Sequence, residues 1–160
     1  MQRITPCLWF DRQAEEAMSF YVSVFKDSPL QEAQNSSIEN IKRYPEDMQI
    51  GPMPDMAGKV LTGIFYLAGQ RFMALDGGPL FHFTEAISFA VSCTSQEEVD
   101  DLWEKLTDGG EEGPCGWLKD RFGVSWQIVP TVLGELLSDP DPVKAQCVAE
   151  ALYKMKKIDI

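Results

Sequence analysis

Two stretches decide the fold: Ala14-Glu15-Glu16-Ala17-Met18-Ser19-Phe20-Tyr21 and Gln96-Glu97-Glu98-Val99-Asp100-Asp101-Leu102-Trp103. Laid over one another, both carry a Glu-Glu pair at the same place, and Phe20-Tyr21 falls on Leu102-Trp103. In the first, Ala14, Ala17, Met18, Tyr21, Val24 and Phe25 recur at three- and four-residue intervals, the apolar stripe of one helix. In the second, Val99, Leu102, Trp103 and Leu106 do the same. Ser95 stands at the N-cap of that second helix, and Glu98 completes the Ser-x-x-Glu capping box.

Outward from the helices the order repeats. An extended apolar stretch precedes each one, Ile4 to Phe10 and Ala86 to Cys93. A pair of strands around a glycine follows each. Val60 to Leu67 turns at Gly69 into Arg71 to Leu75, and Trp117 to Phe122 turns at Gly123 into Ser125 to Val129. Glycine suits the positive φ of such turns. The chain therefore reads as an internal duplication of a β-α-β-β-β unit, about 1–80 and about 86–130, within one domain spanning 1–160. Helices over about 131–157 follow. There, Val132 to Leu137 is a short helix, and Asp141 caps a second one with Pro142 at its first position. Cys147, Val148, Ala151, Leu152 and Met155 form its stripe, a packing or dimer element, with Lys154, Lys156 and Lys157 near the negative end of its dipole. Residues 36–59 read as a polar loop. Met48, Met53 and Met56 make it either an adaptable apolar flap or an ordinary surface excursion.

The bulk properties narrow the function. A formal net charge of −11 leaves no basic surplus to displace counterions, which argues against nucleic acid or an anionic membrane as partner. No apolar run approaches the ~18 residues of a membrane helix, and Met1 to Pro6 lacks the pattern of a secretory leader, so a cytoplasmic protein is expected. Cys7, Cys93, Cys115 and Cys147 contain no C-x-x-C pair, and His82 is the only histidine. Neither a structural zinc site nor a disulfide framework fits; reduced, mostly buried thiols are expected. No glycine-rich phosphate cradle opens a helix, and no cofactor is expected.

Several runs resemble the vicinal oxygen chelate, or glyoxalase/bleomycin-resistance, superfamily, and within it the PhnB-like branch often labelled demethylubiquinone methyltransferase-like. They are Ala17-x-x-Phe20-Tyr21, Ala74 to Pro79 with Phe81 and Phe83, Glu85 to Phe89, Cys115-Gly116-Trp117, Asp120 to Ile128, and Lys156 to Ile160. The resemblance implies an α+β fold in which two βαβββ repeats form curved mixed sheets around a cavity, with the C-terminal helices added. It also implies a homodimer. Metal enzymes of the superfamily place ligands at four inward positions. Carried over residue by residue, these fall near Pro6, at Met73 or Ala74, at Ala86 and at Gln127. Only Gln127 offers a donor, a neutral amide oxygen, so no metal is expected.

Strand alternation then assigns faces. Ser125 and Gln127 point inward with Ser88 and Ala90, while Trp126 and Ile128 pack under the helices. Ile87, Phe89 and Val91 lie behind. Pro6, Leu8 and Phe10 share the inner face opposite Met73 and Leu75. Trp117 is the preferred pocket aromatic, and Phe81 either closes the mouth or staples the linker to the core, as do His82 and Phe83. The candidate ligand-binding set is Phe10, Met73, Leu75, Phe81, Ser88, Trp117, Ser125 and Gln127. This apolar cup with a few polar points suits a small molecule; unfilled, it is a second core. Glu85 and Asp120 are candidate acids, His82 a candidate acid/base, and Cys115 a thiol near Lys119 and Arg121. Two functions follow: metal-free binding of a small, partly apolar or aromatic compound, or a metal-independent or methyl-transfer reaction on a quinone- or phenol-like substrate.

Overall fold

In the computed structural model, which describes residues 1–47 and 55–160, each half of the chain runs strand, helix and three strands. The halves are two compact units, Met1–His82 and Phe83–Ile160. The first contains β1 (Cys7–Phe10), α1 (Ala14–Lys26), β2 (Ser37–Arg43), β3 (Val60–Leu67) and β4 (Gln70–Asp76), with sheet order β1-β4-β3-β2. The second contains β5 (Phe89–Cys93), α2 (Gln96–Thr107), β6 (Glu111–Glu112), β7 (Trp117–Lys119) and β8 (Ser125–Pro130), with order β5-β8-β7-β6. In both, the first strand runs parallel to the last and the other pairings are antiparallel. The duplication is thus one of topology. Helices α3 (Val132–Leu137) and α4 (Pro142–Tyr153) follow in the second unit.

All six stripe residues of α1 are buried, against a sheet face made by Leu8, Phe10, Phe65, Phe72 and Ala74. Tyr21 and Phe65 stack at 6.4 Å, Phe65 and Phe72 at 5.4 Å. Each such side chain contributes roughly 1.5–3 kcal/mol of burial. The start of α1 is capped from a distance: Gln13 gives no side-chain cap, and buried Asp76 of β4 accepts from Ala14 N–H and Val60 N–H, both at 2.9 Å. The β3–β4 turn has Ala68 and Gly69 both at positive φ, 47° and 82°, the two-residue hairpin whose twist matches its strands.

In the second unit Val99, Leu102, Trp103 and Leu106 are buried beneath α2, as are Leu118, Trp126 and Ile128 of the sheet. Ser95 Oγ accepts from Glu98 N–H at 3.2 Å, and the Glu98 carboxylate reaches back to Thr94 N–H at 2.5 Å, one residue before the cap. Asp120, also buried, accepts from Phe122 N–H, Val124 N–H and Trp126 Nε1–H at 2.8, 3.1 and 2.9 Å. That carboxylate holds the β7–β8 hairpin closed.

Three expectations need correction. Ser37–Arg43, read as loop, is the edge strand β2; its apolar Ile38 and Ile41 sit three apart because a register shift between Ile38 and Asn40 breaks the period of two. Met56, read as part of a flap, is buried; Met48 and Met53 lie outside the described residues. The stripe of α4 is half-buried at Val148, Leu152 and Met155 and exposed at Cys147 and Ala151. The thiols are not mostly buried: Cys7 and Cys147 are exposed, Cys115 is half-buried and only Cys93 is buried, all four free.

Candidate functional site

Each sheet has one face under its helix and one open face. In the first unit the register pairs Cys7 with Met73 and Trp9 with Leu75, while Leu8 pairs with Ala74 and Phe10 with Asp76. Phe10 is 3% exposed and Ala74 0%, so both belong to the core under α1. The expected inner face of β1 was therefore out of phase by one residue. Cys7-Leu8-Trp9-Phe10 is apolar throughout and contains no alternation to set the phase; pairing with β4 sets it. Trp9, which the sequence reading passed over, takes the open-face place beside Met73 and Leu75, all half-buried. Its Nε1–H donates to Gly78 O at 2.9 Å, and Phe81 meets it edge-on at 5.0 Å. A Cβ on Gly77 would lie 2.2 Å from the indole, so only glycine fits under that ring. Phe81 thus staples its segment to β1 while remaining 59% exposed.

The open face of the second unit collects the other expected residues. Trp117 and Ala90 flank Gln127 in register, and Lys119 pairs with Ser125. Gln127 Nε2–H donates to Ser88 Oγ at 2.9 Å. Phe89 meets Trp126 at 5.4 Å on the opposite face, as alternation requires. Ile87, expected behind the sheet, is instead exposed, since β5 begins only at Phe89.

A cavity of ≈ 390 Å³ opens at this face, lined by Glu85, Glu111, Pro114, Trp117, Lys119 and Ser125 among others. That volume lies within the usual range of small-molecule pockets, about 300–1,000 Å³. Ser125 is 2% exposed and its Oγ has no hydrogen-bond partner. Such an orphan costs roughly 1–3 kcal/mol. At the exposed rim Glu85 and Lys119 form an ion pair; the hydrogen bond from Lys119 lowers the Glu85 pKa, and the same bond raises that of Lys119. A larger recess beside α2, ≈ 750 Å³, is walled mostly by charged side chains such as Asp100, Glu104 and Lys157, with Trp103 among them.

The other chemical candidates are otherwise engaged or peripheral. Asp120 is spent on the hairpin. Cys115 Sγ packs toward Leu152 O at 3.6 Å, while Lys119 and Arg121 pair with Glu85 and Asp108. His82 is exposed at the end of the first unit. The donor set does not fit a divalent metal. Ala74 is core, Ala86 lies in an exposed turn outside β5, Met73 is a thioether, and the Gln127 amide is bonded to Ser88. Among the described residues no group of three His, Cys, Asp or Glu side chains is arranged to hold a metal. Nor is any helix among them long and apolar enough to cross a membrane.

Residues 2–129 match a family model described as 3-demethylubiquinone-9 3-methyltransferase. No curated protein matches significantly. A solved Bacillus cereus structure, described as a 3-demethylubiquinone-9 3-methyltransferase and PhnB protein, is 37% identical with a TM-score of 0.67. The match covers 81% of this chain and 100% of that one. A Pseudomonas aeruginosa protein is 22% identical over 81% of this chain and 98% of its own, with TM-score 0.63. The fosfomycin resistance protein FosX of Listeria monocytogenes, solved with Mn(II) and a dihydroxypropylphosphonic acid, is 16% identical over 86% and 100%, with TM-score 0.57, a likeness of fold.

Proposed function

The chain belongs to the PhnB-like 3-demethylubiquinone-9 3-methyltransferase family of the vicinal oxygen chelate superfamily, and from that premise we propose that it is a metal-free, cytoplasmic binding protein for a small, partly aromatic molecule. The observation that carries this is the cavity on the open face of the second unit, with an indole wall and an unpartnered buried hydroxyl. A buried polar group without a partner is retained at a cost, and a ligand that supplies the missing bond recovers it. The test is a thermal-shift and native mass-spectrometry screen against aromatic metabolites. Stoichiometric adducts that raise the melting temperature are expected; a panel that yields none, with the cavity closed by its own side chains, ends the proposal. Elemental analysis of protein purified without chelators should find no stoichiometric metal.

The family's printed description favours a second reading, methyl transfer to a phenol- or quinone-like substrate. It requires S-adenosylmethionine to bind. The two mixed sheets lack the alternating parallel strand–helix layers usual for that cofactor. Calorimetry with S-adenosylmethionine separates the readings: heat of binding supports transfer, and its absence favours the binding protein.

A further inference from the structure

We propose that the cavity of the second unit selects an aromatic amine, with a hydroxyl or carbonyl at its deep end and an ammonium at its rim. This rests on that cavity being the ligand site. Three observations carry it. Deep in the cavity, Ser125 Oγ is buried and unpartnered, so one neutral hydrogen-bonding group is wanted there. Halfway out, Trp117 offers a half-buried indole, and Pro114 further apolar surface, for a ring. At the rim stand two carboxylates, Glu85 and Glu111, against the single ammonium of Lys119.

Lys119 does not balance them. It is already bound to Glu85 and has Glu111 directly across the strand pair. Glu112, opposite Leu118 in the strand pair, turns to the α2 side, where it accepts from Trp103 Nε1–H at 3.0 Å, and leaves Glu111 as the rim carboxylate of β6. An entering anion meets a net negative mouth whose one cation is engaged. An entering ammonium meets carboxylates and an indole face, the pairing that recognises organic cations. The net charge of −11 on the whole chain adds long-range attraction of the same sign.

The experiment is isothermal calorimetry at low ionic strength with four probes of one ring size: tyramine, phenethylamine, p-cresol and 4-hydroxyphenylacetate. Tyramine should bind tightest, about tenfold above 4-hydroxyphenylacetate, and the gap should shrink with added salt. Glu85→Gln frees Lys119 and should weaken tyramine while strengthening the carboxylate. Ser125→Ala should remove the advantage of tyramine over phenethylamine. Because it deletes an unsatisfied hydroxyl, it should also raise the melting temperature of the free protein. Equal affinity for amine and carboxylate, or no response to Glu85→Gln, overturns the amine assignment. Binding of p-cresol in that case leaves the reading of the cavity intact. An unchanged hydroxyl advantage in Ser125→Ala removes the assigned role of Ser125. If none of the four probes binds, both the assignment and the reading beneath it fall.

Discussion

Ser125 and Phe10 show how a single position on a strand settles a side chain's role. Phe10 faces α1 and belongs to the core, so Phe10→Leu should cost about 1 kcal/mol of stability and leave ligand affinity unchanged, read by urea denaturation and calorimetry. A lost affinity would restore it to the site. Asp120 closes a hairpin with three accepted hydrogen bonds, so Asp120→Ala should cost roughly 3 kcal/mol in the same denaturation experiment. The thiols separate by environment. Burial, with the Glu98 carboxylate adding to it, raises the Cys93 pKa to about 12, whereas Cys147 is exposed. Labelling the native protein with a thiol reagent near neutral pH should therefore modify Cys147 quickly and leave Cys93 untouched until denaturant is added. What the sequence made legible at this scale depended on contrast between neighbours. Ser125, Trp126, Gln127 and Ile128 alternate polar with apolar, and their faces were read correctly. Cys7 to Phe10 do not alternate, and there the reading failed.

At the scale of elements, both amphipathic helices were legible because their stripes and the Ser95–Glu98 box are local signals. β2 was hidden because a bulged edge strand with one buried neighbour need not alternate. The distant cap on α1 was hidden because Asp76 acts from β4, which no local pattern announces. The C-terminal segment after α4 is a further case. Met155 O and Lys156 O accept from the Cys115 and Gly116 amides, and Ile158 is buried against Gly116, where a Cβ would lie 2.7 Å from its side chain. Lys157 binds Asp100 on α2. The tail therefore braces the turn that carries Trp117 into the cavity. Hydrogen bonds from Lys157 and Gln96 depress the Asp100 pKa, and the bonds to Asp100 and Asp159 raise that of Lys157. A depressed carboxylate contributes its stability above its ordinary value of 3.8 and loses it as the pH falls through the lowered value. The raised lysine contributes below its ordinary 10.5 and loses it as the pH rises through the raised value. Hydrogen-exchange protection of the Cys115 and Gly116 amides, normalised for intrinsic rates, should be flat between these limits and fall in acid. Lys157→Met should flatten that acid dependence, and a dependence that survives it would detach the tail's bracing from this ion pair.

For the whole molecule, the repeated order β-α-β-β-β was evident because each half carries the same helix and the same glycine hairpin. The second unit also holds features that no repeat foretells: α3, α4 and the tail lie beyond residues 2–129 of the family match. Among the described residues β1 and β2 end one four-stranded sheet and β5 and β6 the other, and sheet edges favour association between copies. We propose a homodimer on this basis; light scattering should return twice the chain mass of 18.0 kDa, and the monomer mass would refute it. The central claim, that the open face of the second unit binds a small aromatic molecule, is tested most directly by titrating ¹⁵N-labelled protein with p-cresol and following amide and indole shifts. Saturable changes at the Trp117 indole, Ser125 and Gln127 are predicted. Shifts confined to the apolar groove of α3 and α4, around Leu133, Leu136 and Leu152, or no shifts at all, would contradict the account.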